Sequence, residues 1–203
     1  MKYVIGLTGR IASGKSSVSR MLQQKGAYII DADSVAHEVI RQGFPAYFKI
    51  VEYFGKDFLD ASGEIDRRKI GRHVFACAPE LLKLNQIVHP YVIEEINERL
   101  SRSGGIVVID AVFLKEAGLD ACCNEVWVIE APKEERLKRI MNRDGLSREA
   151  ALARMRAQPE NDALYAVPVY RLDNSSDMVA LDRQVSILWK CVEDQCQSEE
   201  KKY

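Results

Sequence analysis

An excess of charge of either sign is missing from this sequence: 29 Lys+Arg stand against 30 Asp+Glu in 203 residues, a formal net charge of -1. That balance excludes a general electrostatic grip on nucleic acid, so any basic residue that matters must act locally. Long apolar runs are also missing. Stretches such as Ile106 to Ile109 fall far short of the roughly 20 residues that cross a bilayer. Met1-Lys2 leads into a strand-like segment rather than a signal peptide, so a soluble, cytoplasmic protein without a membrane partner is expected. Cysteine is sparse: Cys77, Cys122, Cys123, Cys191 and Cys196 form no Cys-x-x-Cys, and no histidine stands at finger spacing. Zinc needs four converging ligands, so these residues read as reduced thiols. Internal repeats and low-complexity linkers are absent too, and no obligate protein partner is evident.

The remaining composition, 47% hydrophobic and 29% charged, belongs to an ordinary globular chain able to bury one sizeable core, and 1–203 is read as one domain. Tyr3 to Leu7 is a short run rich in β-branched and aromatic residues ahead of a glycine turn, the pattern of a buried strand. Val18, Met21 and Leu22 then recur at helical spacing over Lys15 to Lys25, and Gly26 is placed to end that helix. Further strands are expected at Ala27 to Ile30, Gly105 to Ile109, Val126 to Glu130 and, more weakly, Val169 to Leu172. Helical patterns lie between them, which argues for an α/β protein with a parallel sheet covered on both faces.

One connection is too long for a simple crossover of a dozen residues: about 75 residues separate the second and third strands. Helical patterns near 34–42, 45–54, 67–76 and 80–102, a polar turn at Asp60-Ala61-Ser62-Gly63 and a break at His89-Pro90 make 34–104 a helical insertion over the carboxyl end of the sheet. A second excursion, in 136–163, carries Arg136, Arg139, Arg143, Arg148, Arg154 and Arg156. The last helix, about 177–196, aligns Met178, Leu181, Val185, Leu188, Trp189 and Val192 on one stripe.

Gly9-Arg10-Ile11-Ala12-Ser13-Gly14-Lys15-Ser16 fits G-x-x-x-x-G-K-[ST], after a strand and opening a helix as the motif requires. Glycines let such a loop curl until successive backbone N–H groups face phosphate oxygens, and the positive end of the following helix adds attraction. Nucleotide contacts are therefore expected from Gly9, Ala12, Ser13, Gly14, Lys15, Ser16 and Ser17. Lys15 would reach the β- and γ-phosphates and Ser16 would ligate Mg²⁺.

Asp31-Ala32-Asp33 follows the second strand on the rim where open α/β sheets bind ligands. A kinase acting on an alcohol needs a carboxylate to accept the hydroxyl proton, and Asp33 is the candidate, with His37 one helical turn on. The alternative is that these aspartates cap the next helix, and Asp31 reads equally as a cap or as part of the outer shell of Mg²⁺. Ile106-Val107-Val108-Ile109-Asp110, four hydrophobic residues ending in an acid, is a Walker B pattern, which puts Asp110 in the outer shell of Mg²⁺. Arg139 and Arg143 share a helical face at i,i+4 and either stabilise triphosphate charge or belong to a solvated face paired with Glu134 and Glu135. His89 alone reads as a structural histidine. Asp60 to Gly63 matches the D-x-x-G of GTPases but follows no strand, and with no N-K-x-D in the chain it reads as a turn.

Taken together these residues resemble the dephospho-CoA kinase family. Gly6-Leu7-Thr8-Gly9 with Ser13-Gly14-Lys15-Ser16 is similar to its phosphate loop, and Ile30-Asp31-Ala32-Asp33 with Ala36-His37 to its D-A-D segment. Gly63 to Arg67 with Phe75, then Ile87-Val88-His89-Pro90, resemble its substrate-domain signature; Asp110 to Glu116 and Arg143-Asp144-Gly145-Leu146-Ser147, continuing to Arg154 and Gln158, resemble its later segments. The resemblance implies a P-loop core of five parallel strands ordered 2-3-1-4-5, a helical insertion holding the acceptor and a small lid over ATP. It implies ATP-dependent phosphorylation of the ribose 3'-hydroxyl of dephospho-CoA with Mg²⁺, with Asp33 as base, Arg67 and His89 as acceptor contacts and Asn174 near the adenine. A different small P-loop kinase, or a nucleotide-dependent switch, would share the phosphate-handling residues. Arg10 and Ala12 stand where the family usually has glycine: a negative φ would make Ala12 tolerable, and Arg10 is expected to project to solvent. Val112 replaces a proline, and Leu164, Pro168 and Val169 replace a basic residue and an Ala-Asp pair.

Overall fold

The computed structural model describes residues 2–156, 158, 165 and 167–200. Residues 159–163 of the expected lid segment, and Leu164, lie outside them. The chain divides into two compact units, Met1–Ile30 with Ser103–Tyr203 and Asp31–Arg102.

The first unit is built on β1 (Lys2–Gly9), β2 (Tyr28–Asp31), β3 (Gly105–Asp110), β4 (Glu125–Glu130) and β5 (Val169–Asp173), in the order β2-β3-β1-β4-β5. β1 pairs in parallel with β3 and β4, and β4 with β5. Both the strands and their order agree with the expectation. β1 is central because its side chains are buried on both faces from Tyr3 to Gly9, which its unbroken apolar run allows. Ile5, Leu7, Val108, Trp127 and Ile129 pack with Val18 and Leu22 of α1 (Lys15–Gln24), and with Leu181, Val185, Trp189 and Val192 of the C-terminal helix, Met178–Glu200. Met178, expected on that stripe, is exposed at the helix's first residue.

The second unit is helical: α2 (Ala32–Val39), α3 (Pro45–Phe54), α4 (Arg67–Phe75) and α5 (Ala78–Arg102). Its core gathers Tyr47, Ile50, Ile65, Ile70 and Val74. Asp60 to Gly63 is a turn, closed by an antiparallel Leu59–Ile65 bridge, with Asp60 accepting from Ser62 and Glu64 backbone N–H groups at 2.8 and 3.1 Å. The expected break at His89-Pro90 does not occur, and α5 runs unbroken past Pro90. An interior proline costs about 3 kcal/mol. Here Leu81, Leu84, Ile87 and Val88 pack before it and Val92, Ile96 and Leu100 are buried after it, so both halves are held in line.

After β4 the first unit continues through α6 (Lys133–Asp144) and α7 (Arg148–Arg156) to β5, and its C-terminal helix is α8 (Met178–Glu200). Leu137, Ile140 and Ala151 form a small core between α6 and α7, on which Ile11 and Ala12 of the phosphate loop pack.

Candidate functional site

The loop between β1 and α1 is shaped by close backbone approach. A Cβ on Gly9 would stand 2.6 Å from Ser13 Oγ and 2.7 Å from the Ile129 carbonyl, so only glycine fits. Gly14, the N-cap of α1, has φ 109° and supplies no side-chain cap. The Ser17 N–H donates to the Gly14 carbonyl at 2.9 Å, but among the described residues the amides of Lys15 and Ser16 have neither an intrahelical acceptor nor a capping oxygen, the condition under which a helix N-terminus attracts an anion. The Ser13 hydroxyl is buried with no hydrogen-bond partner among the described residues. Ala12 departs from expectation, with φ at 60° rather than negative. The loop's curl demands a left-handed residue there, and burial of the methyl on the α6–α7 core offsets part of a strain of about 1 kcal/mol.

Lys15 forms an ion pair with Asp110, the last residue of β3, and the two side chains are 15% and 9% exposed. β3 lies beside β1, so the acid that ends the Walker B strand meets the lysine that opens α1. The loop is clamped from outside. Arg139 donates to the carbonyls of Ala12 and Ser13, each at 3.3 Å, and to that of Asn174 at 3.0 Å. The Asn174 amide donates to the Ser13 carbonyl at 2.6 Å, and Gln158 accepts from the Ile11 N–H at 2.6 Å.

The arginines of the second excursion therefore divide. Arg143 and Arg154 pair with Asp144, and Arg148 with Glu134. Hydrogen bonding to Asp144 raises the Arg143 pKa, and the same bond lowers that of Asp144. Arg139 holds the loop, while Arg136 is 7% exposed and donates through Nε to the Ala131 carbonyl at 3.2 Å. Arg10 is not simply a solvent-facing side chain; it is partly buried and lines two cavities together with Arg136.

In the second unit Asp31 caps α2, accepting from the N–H groups of Asp33 and Ser34 at 3.0 and 3.3 Å and from the Ser34 hydroxyl at 2.9 Å. The cap is thereby assigned to Asp31, and Asp33 sits in the first helical turn. His37, at the other end of α2, lines a cavity of about 530 Å³ with Ser34, Arg41, Glu64 and Arg67, the first residue of α4. Arg41 was missed from the sequence, although it lies four residues beyond His37, the spacing that repeats a helical face. His89 lies in mid α5, next to Pro90, and is not among that cavity's lining residues.

A family model for dephospho-CoA kinase matches residues 3–180 of this chain. The dephospho-CoA kinase of Carboxydothermus hydrogenoformans is 44% identical over 194 residues, covering 92% of this chain and 94% of that one. Among solved structures, a protein of Thermus thermophilus superposes with a TM-score of 0.77 at 32% identity, covering 93% of this chain and 97% of the other. The dephospho-CoA kinase from Campylobacter jejuni gives a TM-score of 0.68 at 27% identity, covering 96% and 100%. Among the described residues no helix is long and apolar enough to cross a membrane, and no three His, Cys, Asp or Glu side chains are grouped to hold a metal.

Proposed function

The chain belongs to the dephospho-CoA kinase family, and on that premise we propose how its residues carry phosphoryl transfer from ATP to the ribose 3'-hydroxyl of dephospho-CoA, giving coenzyme A and ADP. The observation that carries this reading is the phosphate loop: α1 begins on a glycine with no side-chain cap, and Lys15 stands beside it on a buried acid.

The β- and γ-phosphates of ATP lie against the loop from Gly9 to Ser17, taking up the orphan amides of α1. As the bond from the γ-phosphorus to the β–γ bridging oxygen breaks, negative charge grows on the departing ADP oxygen, and the Lys15 ammonium neutralises it. Lys15 reaches this charge by sharing itself between phosphate and Asp110. Asp33 accepts the proton of the 3'-hydroxyl as its oxygen bonds to the γ-phosphorus. Asp31 serves as the helix cap, and Asp33, in the first turn of α2, is the carboxylate proposed for this task. His37 and Arg67, which share a cavity, contact the acceptor, and His89 is a further contact within the same unit. Arg139 keeps the loop curled through its three carbonyl bonds, and Asn174, tied to the same carbonyl, marks the adenine side. Arg143 exchanges Asp144 for phosphate oxygen when the nucleotide is bound.

Mg²⁺ fits the donors present. The Ser16 hydroxyl and the Asp110 carboxylate are hard oxygen ligands, and Mg²⁺ characteristically takes one or two protein oxygens plus substrate phosphates and water rather than an all-protein cage. Ser16 would hold the ion directly and Asp110 through water. When bound, the ion would spread the charge of the β- and γ-oxygens.

The test is a single assay with labelled ATP and dephospho-CoA, a nucleoside, a nucleoside monophosphate or no acceptor. Label is expected on dephospho-CoA alone. Label on the nucleoside monophosphate with none on dephospho-CoA would sink the reading.

A further inference from the structure

The cations around the phosphate loop do not all serve the loop. Four of them, Arg10, Lys133, Arg136 and Arg156, line one cavity of about 230 Å³ beside Gln158, with no carboxylate among its described lining residues. Arg10 and Arg136 also line a second cavity of about 320 Å³ that runs along the carboxyl end of β4, past Ile129 and Ala131. The one acid among its described lining residues, Glu130, is already paired with Arg171.

Among the described residues none of these four cations is in an ion pair, whereas Arg143, Arg148, Arg154 and Arg171 each hold a carboxylate. The contrast is sharpest at Arg136. It is more than nine-tenths buried, yet its one described side-chain bond uses Nε, leaving the end of the guanidinium for the two cavities. Burial, with Arg10 alongside, pulls its pKa below the usual arginine value. Two guanidiniums brought together in a partly buried place repel one another, and the arrangement is favourable once an anion lies between them.

We propose that Arg10 and Arg136, with Lys133 and Arg156 at the mouth, form a second oxyanion site on the flank of the phosphate loop, one that takes a small anion of phosphate or diphosphate size. Phosphate chemistry is favoured because guanidiniums match tetrahedral oxyanions with paired N–H donors and cations dominate the described lining. A small ligand is favoured because 230 Å³ falls below the usual volume of pockets for drug-sized molecules. Since Arg10 belongs to the loop itself, an anion held there bears on the loop's conformation as well as on its charge.

The experiment titrates inorganic pyrophosphate into the full-length protein saturated with ADP, by ³¹P NMR or calorimetry, with ADP uptake read in the same samples so that a failure of the nucleotide reading is seen separately. The pyrophosphate site is expected to survive ADP, to weaken at least tenfold in Arg10→Ala and in Arg136→Gln, and to weaken two- to threefold in Lys133→Ala or Arg156→Ala. Arg148→Ala, whose arginine is paired with Glu134, should leave it unchanged. Arg10→Ala alters a loop side chain outside the hydrophobic core and keeps the test open if Arg136→Gln does not fold. Pyrophosphate expelled by ADP, or bound equally by the wild type and Arg10→Ala, would overturn the proposal.

Discussion

Gly14→Ala tests the geometry of the phosphate loop directly. Gly14 has φ 109° and ψ 14°, a region in which an L side chain is strained, so the backbone alone should cost about 1–2 kcal/mol. The new methyl would also overlap the side-chain amide of Asn174, which donates to the Ser13 carbonyl at 2.6 Å. Displacing that buried bond adds about 1 kcal/mol, for a total of roughly 2–3 kcal/mol. Both tryptophans, Trp127 and Trp189, lie in the core of the unit that carries the loop, so urea unfolding followed by their fluorescence reports the relevant part of the molecule. In an Asn174→Ala background the overlap is gone, and Gly14→Ala should cost only the backbone share, a coupling of about 1 kcal/mol. A Gly14→Ala protein within about 0.5 kcal/mol of wild type would refute the reasoning, and an equal cost in both backgrounds would refute the collision with Asn174.

Lys15→Ala should lower turnover on the order of 10²-fold or more. It also strands the nearly buried Asp110, at a cost of about 3 kcal/mol, so adding Asp110→Asn should restore urea stability without restoring turnover. Asp33→Asn should lower turnover by roughly 10²–10⁴ with ATP affinity little changed, while Asp31→Ala should cost about 1 kcal/mol of stability through the lost cap; the opposite pattern would exchange the two roles. Burial raises the Cys123 thiol to about 12, with Cys122 and Asp120 adding in the same direction. Folding therefore favours the protonated thiol: its contribution is whole below the unfolded thiol's pKa of about 8.5 and is lost as pH climbs to the folded value. Stability should fall by up to about 1.4 kcal/mol per pH unit across that window, and Cys123→Ala should flatten the decline; identical alkaline slopes in the two proteins would count against it.

The parts of this protein determined by its sequence alone are those governed by neighbours along the chain. The β-branched runs ending at Gly9 and Asp110 could only be buried strands. The glycines and lysine between Gly9 and Ser16 define a phosphate loop through backbone freedom and charge at fixed spacing, and the size of the 34–104 segment announced a helical unit. The order of the five strands followed from family resemblance, since a pattern of runs does not say which strands are adjacent.

Tertiary structure decided what depends on distant partners. Pro90 ends helices by its local chemistry, yet α5 continues because apolar contacts on either side hold it. The sign of φ at Ala12 rests on the curl of the loop and on a methyl packed against α6 and α7. Arg139, Arg143 and Arg136 lie within eight residues of one another and read alike in sequence. One binds loop carbonyls, one binds Asp144 and one is buried beside Arg10, because a long cationic side chain takes whichever acceptor the fold brings within reach, and spacing along a helix does not identify that acceptor.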